Sequence, residues 1–206
     1  MLLIGQFDSP FVRRVGVALE LYGIGYEHRP WSVWRDAEQI AAYNPLLRVP
    51  TLVLDDGECL LESSAILDAL DERVGAERAL LPRTGSTRRD GLRVVALATG
   101  LADKAVSMFY EQSLHPEVSE KWLSRCRSQI GGVLVALEAD RSRRTTPHWL
   151  GSELSHADIA VACALRFLSE SSPGVFHLAP YPALEAHSAA CESLSVFGKI
   201  SQPFSV

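Results

Sequence analysis

Ser9-Pro10-Phe11-Val12 stands shortly after the apolar run Leu2-Leu3-Ile4 and opens a stretch, Phe11 to Tyr22, in which Val12, Val15, Leu19 and Tyr22 recur at helical spacing. A short strand followed by a helix is the start of an α/β layer. The spacing puts the Ser9 hydroxyl at the N-terminal end of that helix, where unpaired backbone N–H groups and the helix dipole favour a bound anion. Such a place suits a thiolate.

Outward from this point the alternation continues. Gly23 and Gly25 stop the helix, Tyr26 to Trp31 reads as a second strand, and Asp36 to Tyr43 reads as a short helix ended by Asn44-Pro45. Thr51-Leu54 and Cys59-Leu61 flank the turn-rich Asp55-Asp56-Gly57-Glu58 in the manner of a β-hairpin, and Ser63 to Val74 closes the region as a third helix. Leu81-Pro82-Arg83-Thr84-Gly85-Ser86 breaks the pattern, so 1–80 is expected to be one domain and 81–85 a linker. Beyond it, Arg88 to Tyr110, Glu117 to Glu138, Ala157 to Leu168 and Ala183 to Cys191 carry helical spacing with few strand signals. The expectation for 86–206 is an all-helical domain. Inside it, Ser155-His156-Ala157-Asp158 reads as an N-capping box, with His156 on the surface.

The chain has 206 residues, 47% of them hydrophobic, which suffices for two small domains with proper cores. A formal net charge of -5 argues against a general polyanion-binding surface, so no nucleic acid is expected as a partner. The apolar start Met1 to Ile4 is shorter than a secretory h-region, and no uncharged apolar run approaches ~18 residues; the expectation is a cytoplasmic protein with no membrane partner. Cys59, Cys126, Cys163 and Cys191 are scattered without a C-x-x-C pair or histidines at ligand spacing, so they read as buried thiols and no metal is expected.

Ser9-Pro10-Phe11-Val12 at a helix start, Val49-Pro50-Thr51-Leu52 entering a strand and Glu62-Ser63-Ser64 at the next helix start occur in an order and spacing that resembles the cytosolic glutathione transferases. The closer likeness is to bacterial members that begin with Ser-Pro-Phe-Val-Arg, as Ser9 to Arg13 does. The resemblance implies a thioredoxin-like α/β N-terminal domain, an all-α C-terminal domain, glutathione as cosubstrate and a homodimer. It implies that Pro50 is cis, which would turn the Val49 backbone outward to pair with glutathione's cysteinyl unit by strand-like addition. Val49-Pro50 as a plain strand start is the alternative. Glu62 would answer the ligand's ammonium group and Ser63 its α-carboxylate, unless the two only cap a helix. Arg48 would face the glycyl carboxylate. At Leu47 the chain departs from the family pattern, which often has a small residue there. Arg13 and Arg14 read as a solvated helix face.

Ser9 is the expected catalytic residue. It occupies the place of the first cysteine in related C-x-x-C proteins, and Val12 that of the second, so disulfide exchange is excluded and a hydroxyl is left to donate to the glutathione sulfur. Ser9 as a simple N-cap is the competing reading. The electrophile would lie against Phe7, Phe11, Met108 and Tyr110, in a stripe that also reads as core. The function expected is conjugation of the thiolate to small apolar electrophiles. The alternatives are a glutathione-dependent isomerase, dehalogenase or peroxidase, and a non-catalytic ligand- or protein-binding module.

Overall fold

The chain's computed structural model describes residues 1–204. It divides into two compact units, one made of Met1–Arg83 with the segment from Leu194 onward, the other of Thr84–Ser193.

The first unit runs β1 (Leu2–Ile4), α1 (Pro10–Tyr22), β2 (Glu27–Arg29), α2 (Ala37–Ala41), β3 (Thr51–Val53), β4 (Cys59–Leu61) and α3 (Ser63–Val74). Its sheet has the order β2-β1-β3-β4, with β2 parallel to β1 and the other two pairings antiparallel. Ile4 lies opposite Thr51, and Thr51 opposite Leu61, so these residues form one row across the sheet. The segments leaving β1, entering β3 and leaving β4 therefore meet at one end of the sheet. Leu3 and Leu52 pack with Val12, Val15 and Leu19 of α1 and Ile66, Leu67 and Leu70 of α3, all buried. Burying each such side chain contributes about 1.5–3 kcal/mol before entropy is counted.

Two arginines depart from the sequence reading. Arg13 and Arg14 are 2% and 3% exposed rather than solvated. Arg13 donates from Nε to the Ile200 carbonyl at 2.8 Å and from an Nη to the Phe197 carbonyl at 2.9 Å, with its guanidinium 5.3 Å from the Phe197 ring centroid. These carbonyls belong to α8 (Ser195–Lys199) and its exit, a helix the spacing did not announce. The helical spacing leads one to expect a single helical domain over 86–206. In the structure the residues from Leu194 group with the first unit, because a buried guanidinium must find acceptors and finds them there.

The second unit comprises α4 (Gly85–Leu114), α5 (Glu120–Arg141), α6 (His156–Ser171) and α7 (Pro182–Glu192). Helix α6 is its centre, buried continuously from His156 to Leu165 and packed against α4 and α7. His156, read as a surface residue, is 4% exposed because α6 begins inside the unit. The capping box forms: Asp158 accepts from the Ser155 N–H at 2.9 Å. The same carboxylate, fully buried, also accepts the Trp149 N–H at 2.7 Å and so ties the preceding loop to the helix start. Cys126, Cys163 and Cys191 are buried free thiols, while Cys59 is only half-buried on the edge strand β4.

A second carboxylate, Asp140, accepts from the Trp149 indole N–H at 2.8 Å and from Arg144 at 2.8 Å. Burial resists its ionisation, but those donors prevail and hold its carboxyl below the ordinary carboxylate range. A group depressed on folding stabilises the fold above its unfolded pKa, and that contribution is lost as pH falls through the folded value. The stability difference between wild type and Asp140→Asn is therefore expected to be full at neutral pH and to shrink in acid. Urea unfolding of both proteins across that range checks it, and a pH-independent difference would contradict it.

Candidate active site

Three of the motifs meet at the sheet end defined by the row Ile4, Thr51 and Leu61. Ser9 is the N-cap of α1, in extended conformation, with Pro10 following in the first turn. Its Oγ accepts from the Val12 N–H at 3.4 Å, which leaves its own hydroxyl proton to donate elsewhere. The capping reading and the catalytic reading of Ser9 are therefore compatible.

Gly5 explains how the helix start and the Val49-Pro50 segment come so close. It holds φ +127°, and a Cβ there would lie 2.5 Å from a Val12 methyl carbon and 2.7 Å from the Val49 Cβ. Only glycine fits where those two side chains converge. In the sequence Gly5 stands directly after the strand run Leu2-Leu3-Ile4, and a glycine in or beside a strand can mark close backbone approach.

The Val49-Pro50 peptide is cis. Among the described residues neither backbone group of Val49 has a hydrogen-bond partner. The loop before it is pinned by Asn44, 1% exposed, whose amide donates to the Arg48 carbonyl at 2.8 Å and to Thr51 Oγ1 at 3.1 Å while accepting the Leu46 N–H at 3.0 Å. Asn44 reads in the sequence only as a helix terminator. Leu47, where the chain departs from the family pattern, sits at φ +53° with its side chain exposed.

Glu62 and Ser63 follow β4. Glu62 holds φ +66°, a backbone that a non-glycine residue adopts at a cost of about 1–3 kcal/mol. Its carbonyl accepts from Ile66 and its carboxylate reaches Arg48 at 3.2 Å, both side chains more than half exposed. An exposed pair of this kind contributes about 0–1 kcal/mol and is readily exchanged. Ser63 is 3% exposed, and its Oγ accepts from Arg14 at 3.4 Å. The start of α3 has no side-chain cap, so its first-turn N–H groups remain available as donors. Buried Arg14 adds positive charge behind them.

The expected electrophile wall is not gathered in one unit. Phe7 lies in the loop before Ser9, its ring stacked on His28 with centroids 3.9 Å apart, and Phe11 is half-buried on α1. Met108 and Tyr110 lie on α4, in the second unit. Met108, 1% exposed, packs in that unit's apolar interior and presents no surface to a ligand; Tyr110 is half-buried and tilted against Phe109. Helical spacing marks a buried stripe without saying which of its residues border a cleft. Among the described residues no cluster of His, Cys, Asp and Glu is arranged to hold a metal ion, and no helix is long and apolar enough to cross a membrane.

Comparison with known proteins bears on this arrangement. Residues 3–78 match the glutathione S-transferase N-terminal domain and residues 120–190 the glutathione S-transferase C-terminal domain. A GST-like protein of Escherichia coli (strain K12), YibF, is 32% identical over 173 residues, 82% of each chain. The maleylacetoacetate isomerase of Mus musculus is 27% identical over 208 residues, 98% of this chain and 92% of that protein. Among solved structures, a glutathione transferase family member from Pseudomonas fluorescens Pf-5 with bound glutathione superposes with a TM-score of 0.88 at 32% identity, covering 98% of this chain and 99% of that one.

Proposed function

Because the chain belongs to the glutathione S-transferase family, we propose that it binds glutathione at the end of the sheet bearing Ser9, Val49 and Ser63 and uses the bound thiolate as a nucleophile toward small apolar electrophiles. The observation that carries this reading is the row Ile4, Thr51 and Leu61, since it brings a helix-start hydroxyl, the unpaired backbone of Val49 and an uncapped helix start toward one end of the sheet. Glutathione's cysteinyl unit pairs with the N–H and C=O of Val49 beside cis Pro50, as an added strand would. Its α-carboxylate takes the Ser63 donors at the start of α3, and its ammonium takes Glu62. That exchange releases Arg48 from Glu62 to face the glycyl carboxylate. The sulfur then lies at Ser9, whose hydroxyl donates to it.

A free thiol with pKa near ~8.5 is a few per cent ionised at neutral pH, and lowering it by ~2 units takes ~2.7 kcal/mol of preference for the anion. A hydrogen bond to a charged sulfur contributes about 1.5–3 kcal/mol and a helix start about 0.3–1 kcal/mol. Together they reach what is needed. The thiolate forms the S–C bond of a thioether as the leaving group departs with its electron pair, and the protein contributes orientation and electrostatics. Phe7 and Phe11 supply an apolar flank for the electrophile. The working form in this reading is a cytoplasmic homodimer, as is usual in the family.

A second reading is supported by the near full-length alignment with a maleylacetoacetate isomerase. There the same thiolate adds to one carbon of a double bond, the bond rotates, and the thiolate leaves again, so glutathione is regenerated rather than consumed. Ultraviolet thiolate absorbance of the glutathione complex tests the part both readings share: absorbance persisting at neutral pH is expected, and absence of binding, or binding with an un-ionised thiol, would favour a scaffold or a plain binding module. Assays with aryl halides, epoxides, enones and cis-olefinic acids then separate the two by whether glutathione is consumed.

A further inference from the structure

The loop that carries Ser9 is held from two sides, and one of them is the C-terminal segment. On the strand side, the Gly5 N–H donates to the Arg29 carbonyl at 2.9 Å, and His28 Nε2 bonds to the Gly5 carbonyl at 2.8 Å while its ring stacks on Phe7. Burial, outweighing that hydrogen bond, lowers the His28 pKa, so the ring is neutral at pH 7 and donates from Nε2. On the other side, the Phe7 N–H donates to the Gln202 side-chain oxygen at 2.8 Å. Phe7 and Ile200 both crowd Gly16 of α1: a Cβ placed there would lie 2.8 Å from a Phe7 ring carbon and 2.8 Å from an Ile200 methyl carbon.

The same few residues hold α1. Arg13 bonds the Ile200 and Phe197 carbonyls, and Lys199 reaches Glu20 at 2.6 Å. The segment from Phe197 to Gln202 thus grips the helix and the loop on either side of their junction, and that junction is Ser9. A hydroxyl donating to an anion is sensitive to such bracing, because a displacement of ~1 Å can cost on the order of a hundredfold in rate.

We propose that Gln202 is a positioning residue for Ser9, fixing the loop through the Phe7 N–H so that the hydroxyl points at the bound sulfur. It touches no substrate and acts through Ser9, and the inference rests on the glutathione-thiolate reading above. Gln202→Met keeps the side chain's bulk and removes the acceptor. It is expected to shift the thiol titration of bound glutathione upward by about one unit and to lower kcat about tenfold at neutral pH. The KM for glutathione should stay within about twofold, because the tripeptide's backbone and carboxylate contacts lie elsewhere. Gln202→Ala, with less bulk, should behave alike.

The deciding measurement is a double-mutant cycle. In the Ser9→Ala background, Gln202→Met should change neither the thiol titration nor kcat, since the group it positions is gone. A wild-type thiolate that Gln202→Met leaves unchanged, or an equal loss with and without the Ser9 hydroxyl, would overturn this inference alone. A wild type that binds glutathione without ionising it would overturn the functional reading as well.

Discussion

Ser9→Ala is expected to raise the titration of bound glutathione by about 1–2 units and to lower kcat at neutral pH by about 10- to 100-fold, with recovery in alkali. The variant removes the Ser9 hydroxyl from the head of α1 and leaves the helix start in place. Val49, Ser63 and Glu62 are untouched, so the KM for glutathione should change little. A lower kcat at constant KM marks an interaction with the reacting atom rather than general binding. Loss of the 3.4 Å cap to the Val12 N–H costs about 0.5–2 kcal/mol of stability, too little to empty the folded state. Ser9→Thr keeps the hydroxyl and should keep most of the ionisation. An unaltered titration in Ser9→Ala would transfer the role to the first N–H groups of α1.

Asp158→Ala is expected to be the most damaging single change to stability, about 3–5 kcal/mol, read as a fall in the thermal midpoint on the order of 10 °C. Asp158 is fully buried and accepts from the Trp149 N–H, the Ser155 N–H and the Ser155 hydroxyl. Truncation strands all of these donors where water cannot reach, and a stranded buried donor costs about 1–3 kcal/mol. Asp158→Asn keeps one acceptor for Trp149 but offers an N–H to Ser155, so it should fall between. Thermal and urea unfolding of the two variants checks the order, and an Asp158→Ala protein as stable as the wild type would refute the account.

These two residues were both visible in the sequence, and the reason is the same for each: their roles are local. Ser9 begins a periodic helix, and Ser155 to Asp158 spells a cap within four residues. The strands and most helices were legible for that reason too, with ends displaced by a few residues; the strand read as Tyr26 to Trp31 shrinks to Glu27–Arg29, and the helix read as Arg88 to Tyr110 grows to Gly85–Leu114. What escaped was non-local. Arg13 looks like a surface arginine until its acceptors, Phe197 and Ile200, are brought beside it from the far end of the chain. Asn44 and Gly5 act across the sheet end, and Gln202 acts on Phe7, at separations no periodicity reports. The helix starts at Ser9 and Ser63 were readable, whereas the parts that hold them still were not. Met108 shows the converse: periodicity found the apolar stripe correctly and could not say that this residue is sealed inside it.

The burial of Arg13 has a bearing on how the molecule is made. Synthesis delivers the sheet and α1 before α4 to α7, yet the two carbonyls that receive this guanidinium follow only after the whole of α4 to α7. A nascent chain with residues 1–83 extruded therefore cannot close its first unit: it must keep Arg13 hydrated and that flank of α1 open. The first unit is thus begun before the second and closed only after it.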